Sequence, residues 1–92
     1  MNCVYENFLP TSSTVRQCSY LLNQIQKNIS ARNVSSRIIR LNRNQYRAWI
    51  KIEKLNGEHE VTTLGKTVND CFSEAIDLAK STDRKFENII TN

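Results

Sequence analysis

The sequence predicts an α+β fold, a two-layer sandwich of order β-α-β-β-β-α in which a mostly antiparallel four-stranded sheet carries two helices on one face. Three observations predict it. Apolar residues recur at steps of three and four in two separate stretches, Val15 to Ile29 and Val68 to Ala79. Between them, Tyr46 to Glu53 alternates apolar and polar at period two. Asn56-Gly57, a strong hairpin signal because both residues tolerate positive φ, then separates that run from another. At 92 residues, 39% of them hydrophobic, the chain supports one core and not two. A single domain is expected over 1–92, with its core from about 3 to 86 and a tail over 87–92.

Taken in order, Val4, Tyr5, Phe8 and Leu9 form a short edge strand that Pro10 ends. Thr11, Ser12 and Ser13 supply N-cap candidates for the first helix, since a hydroxyl accepts from the unpaired amides of the first turn. Val15, Cys18, Leu22, Ile25 and Ile29 give that helix one apolar face over about four turns. Ser30 to Ser36 is polar and aperiodic and reads as a connection. The second strand is expected over Arg37 to Arg43, with Ile39 and Leu41 on one side, Arg40 and Asn42 on the other, and Ile38 marking a bulge or a two-sided burial. The third strand turns Tyr46, Ala48, Ile50 and Ile52 inward and Arg47, Trp49, Lys51 and Glu53 outward. A fourth runs from about His59 to Leu64. Thr67 to Asp70 approximates a capping box before the second helix, whose stripe is Val68, Cys71, Phe72, Ala75, Ile76 and Ala79. Phe86, Ile89 and Ile90 extend that helix or dock on a neighbour.

The composition removes several functions. No apolar run is long enough to span a membrane, and residues 1–10 lack the basic start and apolar stretch of a secretory signal, so a cytoplasmic protein is expected. Cys3, Cys18 and Cys71 have neither Cys-x-x-Cys nor Cys/His spacing, so neither a structural metal nor a disulfide framework is expected. Cys18 and Cys71 lie on apolar stripes and read as small buried hydrophobes. The single histidine, His59, has no ligand or carboxylate at useful spacing. With no nucleophile–base pair, no paired carboxylates and no phosphate-cradling glycine loop, an enzyme is not expected, nor a cofactor or a small-molecule substrate.

Charge is the informative feature. Net charge is +4, yet from Asn7 to Ile52 there is no acidic residue, and this span carries +8, six of the eight cations being arginine. From Glu53 onward the balance is −3. Arginine suits phosphate because its planar guanidinium offers paired donors and is weakly hydrated. A solvated surface normally mixes signs, and this one does not, so a polyanion is the expected partner. With both helices on one side of the sheet, the other side faces water and displays Arg47, Trp49 and Lys51, with Arg40 joining from the second strand. Arg37 and Arg43 bracket that strand, and Lys27 lies on the polar side of the first helix. Cations around a large aromatic neutralise phosphates and stack a base.

The stretches "RAWIKIEKLNGEHEVTTLG", "TVNDCFSEAIDLAKS" and "TVRQCSYLLNQIQK" resemble, in that structural order, the ribosome hibernation-promoting factors, also called ribosome-associated inhibitor or sigma-factor modulation proteins. Asp70 and Ala75-Ile76-Asp77 stand where that family has an acidic residue and Ala-Ile-Asp on its last helix, and Arg16 where its first helix has an Ala-Leu-Arg type sequence. The resemblance implies a short form, without the C-terminal dimerisation domain of long forms. Such a protein binds the rRNA of the small ribosomal subunit and inhibits translation under stress, without catalysis. It adds Arg16, Lys80, Arg84 and Lys85 as RNA contacts. The chain departs from the family after Arg84-Lys85, where Phe86-Glu87-Asn88 replaces a longer basic run. A double-stranded RNA binder has the order α-β-β-β-α and a strongly basic second helix, against which Asp70, Glu74, Asp77 and Asp83 argue. The alternative of another class is a protein interaction module, antitoxin-like or an adaptor, whose cationic sheet face meets an acidic partner. A monomer or weak homodimer is expected in either case.

Overall fold

The computed structural model describes the backbone of residues 2–55 and 57–91, and side chains over 3–55 and 57–83. The elements follow the expected order: β1 (Asn2–Glu6), α1 (Ser12–Asn28), β2 (Asn33–Asn42), β3 (Gln45–Lys54), β4 (Gly57–Gly65) and α2 (Val68–Thr91). The strands form one sheet in the order β1-β2-β3-β4. β2, β3 and β4 are an antiparallel meander, whereas β1 pairs with β2 in parallel, so the sheet is mixed. A parallel pair needs a crossover connection, which α1 supplies.

Thr11 is the N-cap of α1, its side chain accepting from the Thr14 amide at 3.1 Å. Cys18, Leu22 and Ile25 are buried, while Val15, the first member of the stripe, lies at the rim. In α2 the stripe residues Cys71, Phe72, Ala75, Ile76 and Ala79 are buried, while Val68, its first member, is partly buried against the core. Thr67 Oγ1 accepts from the Asp70 amide at 3.1 Å, the first half of a capping box. α2 lies over β3 and β4, and α1 over β2 and against α2. Together they cover Val34, Ile38, Ala48, Ile50, Ile52 and Val61. The backbone of α2 runs through the stretch of Phe86, Ile89 and Ile90, whose side chains lie outside the described residues.

β2 departs from expectation in extent and in phase. It begins at Asn33, so most of the segment read as a connection is strand. Val34, Ser36 and Ile38 form its inward set, and Ile39 and Leu41 face outward. Ser36 occupies a core position because its hydroxyl donates to the Trp49 carbonyl at 2.8 Å, which removes the cost of burying a polar group. Ile38 pairs with Ala48 in regular ladder, and the register shift falls between Arg40 and Asn42 instead. β4 is also longer than expected. β3 is followed by a turn at Leu55; of the expected Asn56-Gly57 pair, Asn56 lies outside the described residues, and the positive φ of 144° belongs to Gly57, the first residue of β4.

Candidate nucleic-acid interface

The ladder register assigns the open face of the sheet row by row. Val4, Arg37, Trp49 and Thr62 lie opposite one another in successive strands. One row to one side come Glu6, Ile39, Arg47 and Leu64, and to the other Ser35, Lys51 and Glu60. Trp49 is therefore central. The Arg37 guanidinium stands 5.6 Å from its ring centroid and that of Arg47 5.8 Å, one from the neighbouring strand and one from two residues back on β3. The Ser36 hydrogen bond to its carbonyl fixes the Trp49 backbone from the core side.

These cations are not equally committed. Arg37 meets Glu6 at 3.4 Å, and Lys51 meets Glu53 at 3.6 Å and Glu58 at 3.5 Å. All are exposed pairs, each contributing about 0–1 kcal/mol. Arg47 makes no ion pair among the described residues, and its Nε is buried without a hydrogen-bond partner. An open groove of about 490 Å³ runs beside Trp49, lined by Val4, Ser35, Arg37, Lys51 and Glu60 among others. Leu41 and Leu64 are 42% and 46% exposed on the same face, so its Arg47 end is apolar as well as cationic.

The remaining cations from the sequence are placed elsewhere. Arg40 is opposite Tyr46 on the helix side of the sheet, and its Nε donates to the Asn42 carbonyl at 3.3 Å. It does not join Arg47 and Trp49; reading the phase of β2 from Ile39 inverted the strand, and Arg37 takes the place given to Arg40. Arg43 is exposed in the β2–β3 turn. Arg16 and Lys27 are exposed on α1, and Lys80 is half-buried on α2 beside Asn28, Ile29 and Asp83. The side chains of Arg84 and Lys85 lie outside the described residues. Two cationic regions result, one on the open sheet face and one on the helical layer. Val4, Ser35 and Glu60 were missed as site residues, because a parallel β1 and the β2 register are needed to bring them beside Trp49.

Asp83 is itself buried, held by Lys54 at 3.0 Å, so it is structural rather than a surface charge. Among the described residues no cluster of three His, Cys, Asp or Glu is arranged to hold a metal, and no helix is long and apolar enough to cross a membrane.

No family model matches the sequence, and no curated protein does. Solved structures do match. The Thermus thermophilus Protein Y N-terminal domain aligns over 92% of this chain and 94% of its own, at a TM-score of 0.73 and 14% identity. A ribosomal subunit interface protein from Coxiella burnetii aligns over 96% of this chain and 99% of its own, at a TM-score of 0.79 and 8% identity. At these identities the likeness is one of fold, and it is the fold that the resemblance to hibernation-promoting factors implied.

Proposed function

We propose that the protein is a non-catalytic, cytoplasmic RNA-binding protein that associates with the ribosome, binds rRNA of the small subunit and inhibits translation under stress. The observation that carries this reading is the acid-free span from Asn7 to Ile52, which places Arg37, Arg47 and Lys51 on the open sheet face and Arg16 and Lys27 on α1. Its fold is shared with a protein described as a ribosomal subunit interface protein. The chain acts as a monomer or weak homodimer and needs no cofactor. Cations that neutralise phosphates release counterions, so binding falls steeply with salt, with log K dropping by about 3 per decade for roughly four contacts. Co-sedimentation with ribosomes and separated subunits across a salt series tests this. Salt-sensitive pelleting with the small subunit is expected. Arg37→Glu combined with Arg47→Glu should remove it while changing stability by no more than about 1 kcal/mol. No pelleting at low salt rejects the ribosome. The exposed Leu41 and Leu64 beside Arg47 favour the second reading, an acidic protein partner, in that event.

A further inference from the structure

The groove beside Trp49 has a chemistry of its own. Its lining combines the Trp49 indole and Val4 with the polar and charged side chains of Ser35, Arg37, Lys51 and Glu60. At about 490 Å³ it lies in the range of small-ligand sites, about 300–1,000 Å³. A flat indole held by two guanidiniums selects a planar π system, and the cations select an anion. A nucleotide is both. Resting on the RNA-binding reading above, we infer that this groove seats an unpaired nucleotide of single-stranded RNA, with the base stacked at Trp49 and the backbone passing over it to Arg47.

Duplex RNA does not fit this seat, because its base faces are occupied by their neighbours and only phosphates, hydroxyls and edges are offered. Orientation follows from charge. Glu60 repels phosphate and accepts from N–H groups, so the base edge points to Glu60 and the phosphate points away from it. Arg37 and Lys51 already have carboxylate partners, whereas Arg47, in the row on the far side of Trp49 from the Lys51 and Glu60 that line the groove, has none among the described residues. Arg47 is therefore the phosphate ligand. Arg47, Trp49 and Lys51 alternate along one strand at about 7 Å spacing, a step that an extended, unstacked sugar–phosphate chain covers in one nucleotide.

Trp49 is the only tryptophan, so intrinsic fluorescence reads this seat alone. The probes are a single-stranded RNA hexamer, the same hexamer annealed to its complement, and inorganic polyphosphate, each titrated at equal phosphate concentration. The hexamer is expected to quench Trp49 saturably, and the duplex and polyphosphate to leave emission nearly unchanged. With a dye-labelled hexamer, Trp49→Ala and Arg47→Met should each weaken binding about tenfold, and Trp49→Phe much less; circular dichroism checks that the variants fold. Equal quenching by duplex or polyphosphate, or hexamer binding unaltered in both Trp49→Ala and Arg47→Met, overturns the seat. Ribosome pelleting by the parent without hexamer quenching overturns the seat and leaves the function standing. Hexamer quenching without ribosome pelleting upholds the seat and rejects the ribosome.

Discussion

Three cysteines show how far residue type alone can be read. Cys18 and Cys71 are buried as small hydrophobes, as their places on the apolar stripes implied, and burial pushes the Cys71 thiol up. Cys3 is different. On β1 it lies beside Cys18, whose thiol holds that of Cys3 down at about 6 against the opposing effect of burial. The thiolate is the reactive form, so alkylation of Cys3 should rise through about pH 6 and level off by pH 8, while an ordinary thiol is still rising at about 8.5. Mass spectrometry of iodoacetamide-treated native protein checks this, and labelling of Cys3 that tracks an ordinary thiol would refute it. Nothing in the spacing of Cys3 and Cys18 signalled this, since only the parallel docking of β1 brings them together. Trp49 and Arg47 were legible because β3 alternates without interruption. Arg40 was misplaced because Ile38-Ile39 offers two phases, and only Ala48 opposite Ile38 decides between them.

Among elements, the start of α2 is fixed by a close backbone approach and a side-chain clamp, both from β4. A β-carbon on Gly65 would stand 2.8 Å from the Cys71 amide nitrogen and 2.9 Å from its Cα, and backbone cannot swing aside as a side chain can. Thr63 Oγ1 donates to the Cys71 carbonyl at 2.7 Å, clamping the same turn to β4. Gly65→Ala should therefore destabilise the protein by about 1–3 kcal/mol, read as a shift in the urea midpoint. An unchanged midpoint would mean that α2 slides freely on β4. The helix itself was easily read from Thr67 and the Val68–Ala79 repeat. The β2 start was not, because Ser35 and Ser36 look like loop residues until the Trp49 carbonyl is found above Ser36.

Across the whole molecule, one ion pair ties the far end of the meander to the second helix. Lys54 and Asp83 meet at 3.0 Å with side chains only 9% and 7% exposed, joining β3 to α2 across 29 residues of sequence. Removing one partner of a buried pair costs on the order of 3 kcal/mol, so Asp83→Leu should lower the thermal midpoint by several degrees, while an exposed change such as Lys27→Ala should not move it. A variant as stable as the parent would show that packing, not charge, holds this corner. The sequence showed Asp83 only as one of the acids on the second helix, since a pair so distant along the chain leaves no local pattern. The fold was legible because two stripes and one alternation define two layers; the mixed sheet was not, since five residues of β1 carry too little pattern to fix a direction. That parallel strand also bears on how the chain assembles. β2, β3 and β4 follow one another along the chain as antiparallel neighbours and close cheaply, whereas β1 gains its ladder only after the whole of α1 has doubled back, a far larger loss of chain freedom. Folding is therefore expected to run from the meander outward, with the N-terminal edge the last piece to arrive and the first to leave.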